Sequence, residues 1–285
     1  MMSTLLREKR TERCPICLST AIRINRHKCG FPIAVCHTCL SEYAVLSDSD
    51  LPSYDDHYQP GSIYEGYRTI AHHAAHKIDE SLLYWYQPRM LDVAGPGNGR
   101  LHIDIGSGMG TFPAITRSRG WRVRGVDISQ QAADNAKRNF GIDTHVGEIR
   151  DLDVPNETVD WVSAFEVLEH VMRPRDFLQD IHKLLKPGGL VTISVPNGRS
   201  RSEIYSEDPL ISPPTHVNFF SRKGLSRMFS ECGFEKLYDY EKPIAWSELK
   251  VRKIVRYLLL PVLLVDSYML GYRGNRLLWV GRKRG

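Results

Sequence analysis

The chain has 285 residues, 42% of them hydrophobic and 25% charged, which suffices for one α/β domain with a full core and a small appendage. That balance is ordinary for a soluble globular protein. Residues 1–13 are strongly polar and lack the charged, apolar, small-residue order of a signal peptide, so the cytoplasm is the expected compartment. The net charge of +5 is unevenly spread: residues 1–45 carry seven Lys/Arg against three acids, 241–285 carry ten against three, and the middle holds 21 basic and 27 acidic residues. Basic ends around an acidic middle are either solvated faces or a contact for an anionic surface.

In chain order, residues 1–46 form a Cys-rich module. Cys14-x2-Cys17 and Cys36-x2-Cys39 are two knuckles separated by eighteen residues. Each knuckle folds two thiolates toward one point, and two knuckles complete a tetrahedral S4 zinc site, closed and therefore structural. So short a segment has no core of its own, and metal binding is expected to supply much of its stability. Cys29, His27 and His37 are spare donors, and Cys232 reads as a small apolar residue in a helix.

Residues 47–95 read as a polar, Tyr-rich linker followed by a helical segment over 63–87, stopped by Gly95-Pro96-Gly97-Asn98-Gly99. From Leu101 strand and helix signals alternate. Strands are expected at Leu101–Ile105, Arg122–Asp127, Thr144–Glu148, Val159–Ala164 and Leu190–Val195. Helices are expected at Thr111–Arg119, Gln130–Phe140 and Asp176–Leu185, the last ended by Lys186-Pro187-Gly188-Gly189. A helix at Ser221–Cys232 and strands at Phe234–Tyr240 and Leu277–Arg282 close the pattern. This alternation implies an α/β fold for residues 96–285, a parallel sheet with helices on both faces.

His102-Ile103-Asp104-Ile105-Gly106-Ser107-Gly108-Met109-Gly110 follows a strand and opens a helix. Glycines there permit a tight turn and close approach of backbone to ligand. Asp127, at the tip of the next strand, can accept both hydroxyl hydrogens of a ribose. The segments HIDIGSGMGTF, RVRGVDIS, HVGEIRDL, VDWVSAFEVLEHV, LLKPGGLVTISVPN and THVNFFSRKGLSRMFSECGF, in that order, resemble the class I S-adenosylmethionine (SAM)-dependent methyltransferase superfamily from Leu101 to Phe234. The resemblance implies a Rossmann-like, seven-stranded, mostly parallel sheet whose last strand inserts antiparallel, here preceded by a zinc ribbon-like module. It also implies that Asp104 and the loop of Gly106, Ser107, Gly108 and Gly110 hold the methionine end of SAM. Asp127, with Ile128 beside it, would bind the ribose, Glu148 and Ile149 would flank the adenine, and Phe165 would close over the cofactor.

Glu166-x2-Glu169-His170 follows the fourth strand, where one helical turn would bring the three side chains to one face. With the later His216 this set resembles two metal-dependent O-methyltransferase families, one acting on catechol intermediates of ubiquinone synthesis and one on the terminal ribose of small RNAs. The resemblance implies a divalent ion, Mg2+, Mn2+ or Fe2+, held by Glu166, Glu169, His170 and His216. Without a metal, His170 would serve as a base and Glu166 as a cap of the turn. The expected reaction is methyl transfer to a hydroxyl of a small molecule, sugar or glycan.

Ile254–Leu270, within a segment 250–272, is apolar but interrupted by Arg256, Pro261 and Asp266, too short to span a bilayer. It reads as a lid helix, or, with Lys250, Arg252 and Lys253, as a peripheral contact to an anionic membrane or a lipid-linked substrate. The rivals are an NAD-dependent oxidoreductase using the same glycine loop, and a zinc-ribbon nucleic-acid adaptor on a degenerate methyltransferase fold. Few aromatics interleave with the basic ends, which disfavours nucleic acid.

Overall fold

The computed structural model describes residues 10–52, 83–200, 208–241 and 276–285. The helical segment expected before Leu83 and the apolar stretch Ile254–Leu270 lie outside the described residues. Among the described residues, no helix is long and apolar enough to cross a membrane.

Three short strands come first, β1 (Ile22–Lys28), β2 (Phe31–Cys36) and β3 (Glu42–Ala44), followed by helix α1 (Gln87–Ala94). Next come β4 (Leu101–Ile105), α2 (Thr111–Ser118), β5 (Arg122–Asp127), α3 (Gln130–Phe140), β6 (Thr144–Val146) and β7 (Val159–Phe165). The chain continues through α4 (Pro174–Leu184), β8 (Leu185–Pro196), β9 (Asn218–Phe219), α5 (Arg222–Glu231), β10 (Phe234–Glu241) and β11 (Arg276–Lys283).

Seven strands form one sheet in the order β10-β11-β8-β7-β4-β5-β6. The pairs from β8 through β6 are parallel, and β11 runs antiparallel to both its neighbours. The central strands are apolar runs covered on both faces, as parallel strands need to be: Val191, Ile193 and Val195 of β8 and Val162 and Ala164 of β7 are fully buried. Helix ends follow their local chemistry. Ser129 Oγ accepts from Ala132 N at 3.2 Å to start α3, and Gly141 ends it at φ 62. Ser221 Oγ accepts from Gly224 N to start α5.

The expected strands and helices match closely, with two differences. The turn Lys186–Gly189 follows the end of α4 as expected but lies within β8 as an irregularity, the pairing with β7 passing from Val159 opposite Leu185 to Trp161 opposite Leu190. The third strand stops at Val146, because Gly147 turns away at φ 141.

The Cys-rich segment was expected as an appendage. It forms an antiparallel sheet, β1-β2-β3, whose fourth strand is β9 from the far side of β8. Glu42 pairs with Phe219 and Tyr43 with Asn218. The β1–β2 hairpin turns at Cys29 and Gly30, with φ of 48 and 83, the two positive values a two-residue type I′ turn requires. The exposed Cys29 is thereby accounted for as a turn residue.

Arg10 stitches the two units together. It is 4% exposed and donates to the carbonyls of Ala44 (2.9 Å), Met172 (2.8 Å) and Val217 (3.0 Å) and to Asn218 Oδ1 (3.0 Å). Burial lowers its pKa to about 10, so it remains a cation at neutral pH. Arg10→Met would strip donors from three carbonyls. A loss of about 2–4 kcal/mol in urea unfolding is expected.

Candidate cofactor and acceptor site

A cavity of about 490 Å³ opens at the carboxyl ends of β4, β5 and β7, beside the point where the strand order reverses between β4 and β7. Ligands of open α/β sheets bind at such a point.

One wall is built from the glycine turn and the tips of β5 and β6: Gly106, Asp127, Ile128, Gly147, Glu148 and Ile149. Gly106 sits at φ 66, and a Cβ there would lie 2.4 Å from Val167 Cγ2, so neither the turn nor the packing admits a side chain. Gly110, at φ 83, lets α2 approach α3, since its Cβ would lie 2.8 Å from Ala136 Cβ. Asp127 Oδ2 accepts from Gly108 N at 2.8 Å and Oδ1 from Ser129 N at 3.0 Å. These bonds aim the carboxylate at the mouth of the cavity it lines. Ile149 is buried, Ile128 is half exposed, and Glu148 is ion-paired with Arg150 at the rim.

Asp104, Ser107, Gly108, Gly110 and Phe165 do not line this cavity. Asp104 is buried behind it and hydrogen-bonded to Ser163 Oγ. Gly108 acts through its N–H on Asp127. The Phe165 ring packs 5.0 Å from Phe112 and 5.5 Å from Tyr86, within the helix–sheet layer.

The opposite wall carries Glu166, Val167, His170, Val171, Met172 and Arg173 from the end of β7, and Phe177 from α4. Asp48 and Leu51, just after the Cys-rich sheet, complete it. The helical turn expected after β7 is a short 3₁₀ turn, Leu168–His170. Three of the four expected metal ligands meet: one donor atom each from Glu169, His170 and His216 lies within 4.8 Å of the others. Glu166 stands apart from that group. It takes a left-handed φ of 57 at the end of β7, accepts from Ser194 Oγ at 2.8 Å and pairs with Arg276 Nε at 2.7 Å.

His170 Nδ1 lies 2.8 Å from Thr215 O, a carbonyl that can only accept. Nδ1 therefore donates to that carbonyl, and Nε2 lies 4.0 Å from Glu169 Oε1. The His170 and His216 rings meet edge to face at 4.8 Å. Burial, aided by Arg276 and Lys28, lowers the His216 pKa to about 3, so it is a neutral imidazole. Backbone contacts fix the cluster: Val217 N donates to Glu169 O at 2.9 Å, and Asn218 Nδ2 to Val171 O at 2.7 Å.

Away from the cavity, Cys14, Cys17, Cys36 and Cys39 are buried, with Cys14–Cys39 and Cys17–Cys36 Sγ separations of 3.7 and 3.5 Å. A tetrahedron of thiolates at 2.3 Å from zinc has edges of roughly 3.8 Å, so the geometry fits. The hydrogen bond between Cys14 and Cys39 lowers the pKa of the Cys39 thiol and raises that of Cys14.

Sequence reasoning missed Asp48, Leu51, Met172 and Phe177 as wall residues, and His102 and Ser163 as partners of Asp104. A visible signal existed only for the last two: a histidine and a serine interrupt otherwise apolar central strands.

A glycine turn and an aimed carboxylate at a topological switch point define a nucleotide-cofactor domain. The chain matches the family described as "Methyltransferase domain" over residues 71–238, more than half its length, and belongs to it. It is 27% identical over 138 residues to a probable S-adenosylmethionine-dependent methyltransferase of Mycolicibacterium smegmatis, covering 48% of this chain and 52% of that protein. It is 30% identical over 137 residues to the ubiquinone biosynthesis O-methyltransferase of Paraburkholderia xenovorans, covering 46% and 57%. The matches thus span little more than half the length of these relatives. In fold it is similar to geranyl diphosphate C-methyltransferase from Streptomyces coelicolor A3(2), with TM-score 0.56 and 16% identity, covering 82% of this chain and 85% of that one.

Proposed function

We propose that the chain transfers a methyl group from SAM to a hydroxyl of a small-molecule, sugar or glycan acceptor. The observation that carries the oxygen assignment is the Glu169–His170–His216 cluster, whose His170 lines the cavity while Glu169 and His216 are buried behind it. Methyl transfer from a sulfonium is an in-line displacement, so the protein mainly positions two partners and manages one proton. The glycine turn seats the cofactor, and Asp127 accepts its ribose hydroxyls. Val167, Val171, Met172 and Phe177 give the acceptor side an apolar surface that excludes water.

Two imidazoles and a carboxylate suit a hard or borderline divalent ion. Glu169, His170 and His216 would hold Mg2+, Mn2+ or Fe2+, which would supply a lowered pKa at an acceptor hydroxyl. The donor of His170 Nδ1–H to a backbone carbonyl is the outer contact that such a ligand needs. Glu166 stands outside this set. In the absence of a metal, His170 Nε2 is the base that receives the hydroxyl proton, a reading favoured by the anchored Nδ1. The two assignments separate on metal binding. A Glu169→Ala/His170→Ala double variant is expected to lose Mn2+ binding measured by electron paramagnetic resonance, while zinc stays at one ion per chain. Equal Mn2+ binding by the variant, or none by the parent, rejects the metal and leaves His170 alone.

We also propose that the four cysteines hold a structural zinc ion, on the strength of their tetrahedral spacing and burial. A peripheral contact with an anionic membrane, through the basic segment near 250–253, belongs to the same reading of a lipid-linked acceptor.

A further inference from the structure

Behind the cofactor wall, four side chains form a hydrogen-bonded chain across β4 and β7 to α2. Thr116 Oγ1 donates to Pro113 O at 2.9 Å and lies 3.1 Å from His102 Nδ1. His102 Nε2 lies 2.7 Å from Ser163 Oγ, and Ser163 is in turn bonded to Asp104 Oδ1. Thr116, His102 and Ser163 are fully buried and Asp104 is 3% exposed. The imidazole stacks on Trp161 at 3.9 Å, with Phe112 and Trp121 at its edges. That apolar setting pushes the His102 pKa down to about 3, so the ring carries a single proton at neutral pH.

One imidazole proton admits two arrangements of the chain. If it sits on Nδ1, it is given to Thr116 Oγ1, whose own proton goes to Pro113 O. Bare Nε2 then takes the Ser163 proton. The contact between Ser163 and Asp104 can only be filled by a proton on the carboxyl, so Asp104 is neutral. If it sits on Nε2, it is given to Ser163, which gives its own proton to an ionised Asp104, and Thr116 turns to donate to Nδ1. The His102 tautomer and the charge of Asp104 are therefore locked together.

The surroundings of Asp104 select between them. From β5 it faces Asp127 and from β7 Ser163, and among the described residues no cation offsets its charge. Burial, reinforced by Asp127 and opposed by Ser163, pushes its pKa up to about 7. A ligand that brings positive charge to the adjoining cavity reverses that balance. We propose that Asp104 stays neutral until the cationic cofactor enters, that His102 and Ser163 are positioning residues that couple its proton to the imidazole tautomer, and that binding expels one proton as His102 changes tautomer. This rests on the reading of the cavity as the SAM site. The balance is simple. Each bridging proton moves one bond toward α2: from Asp104 to Ser163, from Ser163 to Nε2, and from Nδ1 to Thr116. The former hydroxyl proton of Thr116 passes to solvent. Only Asp104 changes charge.

Two measurements test this on the full chain. The first is imidazole ¹⁵N–¹H correlation on cofactor-free protein. His102 should show Nδ1–H near pH 6 and shift to Nε2–H through about pH 7, with no imidazolium. In Ser163→Ala, which uncouples ring from carboxyl, the tautomer should no longer follow pH. The second is calorimetric titration with SAM in phosphate and in Tris, whose ionisation enthalpies differ. Close to one proton should be released at about pH 6 and almost none at about pH 8.5, with affinity falling about tenfold per unit below the transition. SAM binding without proton release at about pH 6, or a tautomer fixed across the range, overturns the proposal. Failure of SAM to bind overturns the cavity reading, and the cofactor-free spectra still judge the chain by themselves.

Discussion

Cys36→Ser is expected to abolish binding of the proposed zinc ion and to unfold the small sheet, because Cys36 ends β2 and supplies one of four buried thiols. A closed structural zinc site contributes on the order of 10 kcal/mol to the folding of a small module. The loss should not stay local. Strand β3 pairs with β9, Ala44 N donates to Val217 O at 2.9 Å, and Arg10, four residues before Cys14, holds Met172 and Val217. These bonds set the position of His216 and of the turn that carries His170. A loss of roughly 5 kcal/mol would lower Tm by about 10–20 °C for a domain of this size. Cys29→Ser, at the exposed hairpin tip, is the control and should change stability by less than about 0.5 kcal/mol. Zinc analysis and scanning calorimetry on both variants check the outcome. Equal Tm for the two would show that the module is not part of the folded core.

Asp127→Ala should weaken SAM binding by about 100-fold. Charge-assisted hydrogen bonds contribute about 1.5–3 kcal/mol, and the ribose is expected to make two of them to this carboxylate. The substitution also frees Gly108 N–H and Ser129 N–H from the oxygens that fix them, so the glycine turn loses its anchor. Asp127→Asn keeps an acceptor for one of those N–H groups and should fall between the two. Calorimetric titration with SAM resolves all three proteins. An unchanged affinity in Asp127→Ala would remove the ribose role.

Most of the large sheet was legible because parallel strands are short apolar runs and their helices carry one apolar stripe. Leu101–Ile105, Arg122–Asp127 and Gln130–Phe140 have the bounds their residues suggested. The small sheet was not read as such. Its strands are brief, β1 alternates weakly, and its fourth strand comes from Asn218–Phe219, nearly two hundred residues away, which no local pattern encodes. The acceptor side was legible in composition but not in geometry. Helical spacing grouped Glu166 with Glu169 and His170. The backbone turns left-handed at Glu166 and hands its carboxylate to Ser194 and Arg276, and Arg276 lies on the last strand. Asp104 was marked by its motif as a cofactor contact. The structure places it one layer back, hydrogen-bonded to Ser163 and through Ser163 to His102.

The most direct measurement is a crystal structure of the full chain with S-adenosylhomocysteine. The ribose hydroxyls should lie on the Asp127 carboxylate, the adenine between Ile128 and Ile149, and the sulfur should face the His170 side of the cavity. A nucleoside seated elsewhere, or a ribose out of reach of Asp127, would contradict the assignment of this cavity.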